Sequence, residues 1–317
     1  MSPSEERPPE TPLDLTIVVV NYNVRDLLRN CLQSLRDSQC SYRIETIVVD
    51  NCSTDGSAAM VKDEFPEVRV IVSPSNDGFG AANNRGLRAA RPSRYGMLLN
   101  PDTVVPPQAL QRLIEFMDAT PEAGVVGPKL IMGNGALDLA CRRSFPDPRI
   151  AFYHAFGLDR LFPRSREFAR YNLTFLDEDA LSEIDCVVGA AMLVRWEAIE
   201  RAGLLDESFF MYGEDLDWAF RIRQAGWKVF YNPAVVIVHY KGQSSRQRSV
   251  RSILAFYDAM VIFHRKHYAS TTPFVVNWVI YLGIALRCSI ALAVNLFKPR
   301  HPAMPPLATK AEGMGAP

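Results

Sequence analysis

The chain has 317 residues, 48% of them hydrophobic, which is enough apolar side chain for a full core and excludes a small scaffold that relies on disulfides. Thirty-five basic and 35 acidic residues cancel, so no bulk field draws the chain to nucleic acid. Six scattered cysteines (Cys31, Cys40, Cys52, Cys141, Cys186, Cys288) form no CxxC pair and no cluster with histidine, so neither a zinc site nor a disulfide framework is indicated, and a reducing cytosol is the simplest setting.

Residues 1–13 are polar and proline-rich, expected as a disordered lead-in without the basic start and apolar core of a signal peptide. The pattern changes at Leu15, where a continuous β-branched run to Val20 marks a strand buried on both faces. Leu27, Leu28, Cys31, Leu32 and Leu35 then recur at helix-face spacing. Alternation continues with strands over 44–49, 68–72 and 95–99, and helices over 57–64, 80–90 and 106–117. Such alternation with short turns predicts parallel strands joined by right-handed crossovers.

In sheets of that kind ligands sit beyond the carboxyl ends of the strands. The first strand ends in Asn21-Tyr22-Asn23, the second in Asp50-Asn51-Cys52-Ser53-Thr54-Asp55-Gly56 and the fourth in Asn100-Pro101-Asp102. Alone, the run from Asp50 to Gly56 reads as a turn that caps a helix. The recurrence of such ends on one rim points to a polar site.

The second half is less regular. A strand is expected over 125–130, an irregular stretch rich in Arg, Phe and Pro over 142–178, and another strand over 185–194. Glu214, Asp215 and Asp217 open a helix behind the aromatic run Phe209-Phe210-Met211-Tyr212. The helix dipole favours acids there, but three within four residues exceed what capping needs. Mutual repulsion and burial raise carboxyl pKa values, which suits a general base. Trp218 fits either a sugar-stacking platform or the core. A strand over 235–239 ends in His239, a structural histidine or a ligand. Arg246, Arg248 and Arg251 fit a solvated helix face or a clamp on phosphates. No Ser-His-acid set and no Walker lysine loop occur, which argues against a hydrolase or an NTPase. A sugar-phosphate nucleotidyltransferase should carry a basic glycine-rich loop where Asn21-Tyr22-Asn23 stands.

Taken in order, Val18-Val-Val-Asn-Tyr-Asn23, Val48-Val-Asp-Asn-Cys-Ser-Thr-Asp-Gly56, Asn76-Asp-Gly-Phe-Gly-Ala-Ala-Asn-Asn84, Leu98-Leu-Asn-Pro-Asp102 and Gly213-Glu-Asp-Leu-Asp217 resemble the family 2 inverting glycosyltransferases of the GT-A fold, in particular their rhamnosyltransferase-like branch. The resemblance covers about Leu15 to Tyr268, and five motifs in order are more specific than any one. It implies an α/β fold with a Rossmann-like, mostly parallel sheet flanked by helices. It further implies that Asp50 accepts a hydrogen bond from the donor base, with Asn21, Asn23 and Asn51 lining the same pocket and Ser53 and Asp55 shaping its turn. Asn76, Gly78, Gly80, Asn83 and Asn84 would run beneath ribose and sugar, unless they are simply a glycine-rich helix start. Asp102 and His239 would hold Mg²⁺ or Mn²⁺ on the diphosphate. Asn100 replaces the first aspartate of the usual Asp-X-Asp and would serve the ribose. Asp215 would be the base for an acceptor hydroxyl and Glu214 its orienting partner. The implied donor is a nucleoside-diphosphate sugar, with dTDP-rhamnose favoured, and the implied acceptor a lipid-linked saccharide of cell-surface polysaccharide synthesis.

Residues 274–297 form an apolar segment nearly long enough to span a bilayer. Arg287 at its middle costs about 2.5–3.5 kcal/mol on insertion scales, and Trp278, Tyr281 and the flanking Arg265, Lys266, Lys298 and Arg300 suit a helix lying in the headgroup region. The expected plan is a lead-in (1–13), a GT-A domain (14–268) with a nucleotide-binding half (14–130) and an acceptor half (131–268), a membrane-associated helix (269–298) at the cytoplasmic face, and a disordered tail (299–317). The competing expectation is a membrane-associated nucleotide-sugar binding or scaffold protein weakened in catalysis, which Asn100 would explain.

Overall fold

The structure, a computed structural model, describes residues 13–240 and 250–297. The lead-in before Leu13, Arg246, Arg248, Lys298, Arg300 and the tail lie outside the described residues.

The β-branched run becomes β1 (Leu13–Asn21), buried along almost its whole length. It pairs in parallel with β2 (Ile44–Asp50) on one side and β4 (Ser93–Leu99) on the other, and β2 pairs in parallel with β3 (Arg69–Val72). Three helices make the crossovers, α1 (Arg25–Arg36), α2 (Ser57–Glu64) and α3 (Phe79–Ala89). The leucine stripe buries Leu28, Cys31 and Leu32 of α1. α3 lies unusually close to the sheet: a Cβ at Gly86 would stand 2.5 Å from Val18 Cγ1, so only glycine permits the contact.

Beyond β4 the sheet becomes mixed. β8 (Ala191–Arg195) runs antiparallel between β4 and β6 (Ala123–Met132), and β9 (Lys228–His239) runs parallel to β6. β5 (Thr103–Val104) and β7 (Ser182–Ile184) pair antiparallel with β9, giving the order β3-β2-β1-β4-β8-β6-β9-β5 with β7 off the path. The longest ladders are parallel, and helices including α4 (Ala109–Ala119) flank the sheet. The fold is α/β, a mostly parallel sheet flanked by helices, as the alternation of elements implies.

Several elements depart from expectation. β9 starts at Lys228 rather than at Val235, because the strand continues through Pro233 by a register shift opposite Pro128 and Lys129. β8 is shorter than the expected strand, and Asp185 to Ala190 approach it as a loop with Cys186 in a single bridge to Arg143. The stretch expected to be irregular contains α5 (Pro148–Ala155) and α6 (Leu158–Leu161). Asp147 caps α5 by accepting from the Ile150 amide at 2.7 Å, with Pro148 at the first helical position. Trp218 is a core residue, wholly buried in α8 (Glu214–Gln224), and its indole N–H donates to the Gly203 carbonyl at 2.8 Å. It is not a sugar platform.

Two further helices follow a shorter α7 (Trp196–Ala202): α9 (Val250–His267) and α10 (Phe274–Leu296). α9 is fixed to α8 by Asp217, whose Oδ1 lies 2.7 Å from both Lys266 Nζ and His267 Nε2. α10 is fixed to α9 by His264 Nε2 and Asn277 Oδ1 at 2.7 Å and by an edge contact of His264 with Tyr281. At mid-helix the Arg287 guanidinium donates to the Ala155 carbonyl at the end of α5. Only Ile284 of α10 is buried, and α10 is long and apolar enough to cross a membrane by length and composition.

Candidate active site

The ends of β1 and β2 sit in register, Asn21 opposite Asp50. There Asn21 Nδ2 donates to Asp50 Oδ1 at 2.9 Å and to Ser53 Oγ at 3.1 Å, while the Ser53 amide donates to Asp50 Oδ2 at 3.0 Å. Asn23 closes the same turn: its amide donates to Ser53 Oγ at 3.0 Å and its Oδ1 accepts from the Thr54 amide at 2.8 Å. Asp55 braces α1 and α2, accepting from the Arg25 and Ser57 amides. The side-chain oxygens of Asn21 and Asn51 are buried and have no hydrogen-bond partner among the described residues. Buried oxygens of that kind mark where a ligand donor fits.

Asn51 links this turn to the start of α3, donating to Asn76 Oδ1 at 2.9 Å and to the Gly78 carbonyl at 3.2 Å. Gly78 has φ +96°, and a Cβ on it would lie 2.2 Å from the Phe210 carbonyl oxygen. That carbonyl accepts from the Phe79 amide at 2.8 Å. The crossing carries the chain straight into α8, so the glycine-rich motif and the acidic motif meet because glycine stands at 78. Asn84 is engaged differently from its neighbours. It donates to the Leu205 carbonyl and to Glu207 Oε1, both at 2.8 Å, accepts from the Leu205 amide at 3.0 Å, and so ties α3 to the following loop. Asn83 donates to the Phe79 carbonyl at 3.0 Å and keeps a buried, unpartnered oxygen.

At the head of α8 the two acids have different surroundings. Asp215 Oδ2 accepts from Arg143 Nη2 at 2.7 Å and from the Gly189 amide at 3.0 Å, and its Oδ1 accepts from the Leu216 amide at 2.8 Å. Arg143 is itself buried and held by the Val187 carbonyl at 3.1 Å. Glu214 has no such cation. Burial above all, and then the Asp215 charge, push its carboxyl up to about 8, and its Oε2 lacks a hydrogen-bond partner among the described residues.

The third cluster forms where β5 pairs with β9, Thr103 opposite His239. This ladder places His239 Nε2 at 3.3 Å from Asp102 Oδ1, and Asp138 Oδ2 stands 3.1 Å from His239 Nδ1. Burial alone would lower the imidazole pKa, but the hydrogen bonds to Asp102 and Asp138 outweigh it and push it up to about 9. One carboxylate and one imidazole nitrogen, side by side and nearly dry, would supply two donors to a divalent cation only by displacing the Nε2 proton, with Asp138 holding the other face of the ring, and no group of three or more such ligands occurs among the described residues. Asn100 adjoins both clusters: its amide donates to the Ala190 carbonyl at 2.9 Å, one residue from Gly189.

Nothing in the sequence marks Arg143, Asp138 or Gly189 as site residues. Arg142-Arg143 in an aperiodic stretch gave no sign of burial, and Asp138 precedes a short 3-10 turn (Leu139–Cys141) that it caps like any surface aspartate.

Against known proteins, residues 16–144 match the family described as glycosyl transferase family 2, and residues 97–296 match glycosyl transferase family group 2. The N-acetylglucosaminyl-diphospho-decaprenol L-rhamnosyltransferase of Mycobacterium tuberculosis is 27% identical over 298 residues, covering 90% of this chain and 95% of that protein. Rhamnosyltransferase WbbL of Escherichia coli is 24% identical over 246 residues, covering 73% of this chain and 84% of its own length. Among solved structures, the mannosyltransferase PcManGT of Pyrobaculum calidifontis, in complex with GDP-Man and Mn²⁺, superposes with a TM-score of 0.54 at 18% identity, over 95% of this chain and 80% of that one. That likeness speaks for the GT-A fold alone. With a family profile extending over most of its length, the chain belongs to the family 2 glycosyltransferases and is rhamnosyltransferase-like.

Proposed function

We propose that the protein transfers a sugar, rhamnose from dTDP-rhamnose first, with inversion onto a hydroxyl of a lipid-linked saccharide. The donor and acceptor classes are supported by the two rhamnosyltransferase relatives, one of which acts on a diphospho-decaprenol saccharide by its name. The observation that carries the chemistry is the linkage of three clusters from distant parts of the chain: the turn of Asn21, Asp50 and Ser53 reaches the approach to α8 through Asn51, Gly78 and Phe210, Asp215 accepts from the Gly189 amide, and Asn100, two residues before Asp102, bonds to the adjacent Ala190.

In this reading the base of the nucleotide is read by Asp50, with Asn21, Asn23 and Asn51 around it, while Asn76, Gly78 and Asn84 shape and brace the floor beneath ribose and sugar. Asn100 serves the ribose. A divalent cation held by Asp102 and His239 would neutralise charge on the leaving diphosphate. Asp215 takes the proton of the acceptor hydroxyl as its oxygen bonds to the anomeric carbon and the bond to the diphosphate breaks. Arg143 and the Gly189 amide hold the Asp215 carboxylate in one orientation, and Glu214, whose carboxyl burial and the Asp215 charge push up, orients the base or the acceptor. Residues 14–268 form the catalytic unit, divided as 14–130 for the nucleotide and 131–268 for the acceptor. In this reading α10 is a shallow membrane helix at the cytoplasmic face; its lying on the bilayer rather than across it is supported by Arg287, which bonds to the protein body at α5.

The test is Asp215→Asn, which keeps size but cannot take a proton. Turnover with a purified lipid-linked acceptor falls by about 10²–10⁴-fold, while affinity for dTDP with Mn²⁺ stays unchanged. Asp102→Ala gives the opposite pattern, loss of the Mn²⁺-dependent part of dTDP affinity. A near-normal rate in the first variant sinks the base assignment.

A further inference from the structure

α10 is not the only apolar surface left uncovered. On α5 and α6 and at their C-terminal caps, Phe152, Phe156, Leu161 and Phe162 stand exposed, Phe156 by 71% and Leu161 by 68%. They are held in place rather than loose: Phe152 and Phe156 stack at 4.5 Å, and Phe162 packs on Phe168 at 5.4 Å. A soluble surface rarely gathers four such side chains within so short a stretch.

The charge along this stretch is mostly basic. Residues 148–170 carry Arg149, Arg160, Arg164, Arg166 and Arg170 against Asp159 and Glu167. Both acids are already engaged, Asp159 with His154 at 2.6 Å and Glu167 with Tyr153 and Arg149. Arg160, Arg164 and Arg166 are exposed, and none is paired with an acid among the described residues. Aromatic and leucine side chains ringed by unpaired arginines match the headgroup boundary of an anionic bilayer. The patch also adjoins the other apolar surface, since Arg287 of α10 is hydrogen-bonded to the last carbonyl of α5.

We propose that α5 and α6, with the arginines that follow, form a second lipid-contact surface that sits on an anionic bilayer beside α10. This rests on the reading of α10 as a membrane helix and extends it to a segment of the catalytic unit. The consequence reaches the chemistry, because Arg143, which grips Asp215, stands a few residues before the start of α5, and a surface seated on lipid there sets the height of the site above the membrane.

The experiment uses full-length protein and co-flotation with phosphatidylcholine vesicles, with and without phosphatidylglycerol. Phe156→Asp with Leu161→Asp lowers binding to both kinds of vesicle, and Arg160→Glu with Arg164→Glu lowers binding to the phosphatidylglycerol vesicles alone, by about tenfold or more. Affinity for dTDP is unchanged in each, which shows that the variants are folded. In a separate measurement, Phe156→Trp gains fluorescence that brominated lipid quenches beyond the quenching of the wild type. If Leu282→Asp with Leu286→Asp on α10 abolishes flotation while both α5–α6 pairs float like the wild type and Phe156→Trp shows no added quenching, the inference is overturned and the α10 reading stands. If wild-type protein floats with neither vesicle, the α10 reading fails and the inference with it.

Discussion

Glu214 and Asp215 are sequence neighbours with opposite electrostatic surroundings. Asp215 is gripped by a guanidinium and two amides, whereas Glu214 is buried with no cation bonded to it, and burial and the Asp215 charge outweigh the more distant pull of Arg143 and push it up to about 8. A carboxyl whose folded pKa lies above its unfolded value stabilises the fold below the unfolded pKa, and that contribution is lost as pH rises through the folded one. Stability therefore declines between the ordinary carboxylate range and about pH 8 on account of this residue. Glu214→Gln removes the titration: its melting temperature exceeds that of the wild type at alkaline pH, and the gap closes at pH values below the ordinary carboxylate range. A gap of equal size at both ends of the range would show that Glu214 is ionised in the fold. The sequence disclosed the acids but not this division of labour, since Arg143 reaches Asp215 across 72 positions.

At the scale of elements, the acidic motif does two jobs through one helix. The first turn of α8 faces the site, and Asp217 in the same turn holds α9 through Lys266 and His267 while Arg221 clasps its other oxygen at 2.8 Å. Burial disfavours the Asp217 charge, but hydrogen bonds from His267 and Lys266 outweigh it and hold the carboxyl below its usual range. Removing one member of a buried charge network leaves its partners uncompensated. Asp217→Asn is expected to cost about 3 kcal/mol in denaturant unfolding, without the loss of turnover per folded molecule expected for Asp215→Asn. A variant as stable as the wild type would mean that α9 is held by apolar contacts instead. Hydrophobic periodicity marks α1 and α4, which lay aliphatic stripes on the sheet, whereas α2 and α3, the latter packing through Gly80, Ala82, Gly86 and Leu87, are legible from the strand–helix alternation. It missed α5, α6 and α9, whose apolar residues are partly exposed or shared among aromatic neighbours.

For the whole molecule, α9 and α10 divide the tasks of joining the sheet and leaving it. α9 buries Ala255, Ala259 and Phe263, whereas α10 buries only Ile284 and touches the body through Asn277, Tyr281 and Arg287. A protein ending after Tyr268 is expected to remain folded, to bind dTDP with Mn²⁺ as the full chain does, and to lose activity mainly toward an acceptor embedded in vesicles. Loss of dTDP binding in that shortened protein would place α10 in the structural core. Fractionation of cells expressing the full chain gives the complementary readout, with the protein expected in the membrane fraction.

What the sequence determined by itself is the strand–helix alternation, the polar ends of β1, β2 and β4, and the membership implied by five ordered motifs. Those features are local, set by side-chain period and turn chemistry over a few residues. The tertiary structure alone decided how they meet. β8 inserts antiparallel between β4 and β6, β5 brings Asp102 to His239, and the close crossing at Gly78 brings the glycine-rich turn to α8. Arg143, Asp138 and Gly189 joined the site by the same route, because a buried hydrogen bond between residues far apart in the chain depends on the packing of whole elements and leaves no periodic trace in either partner's neighbours.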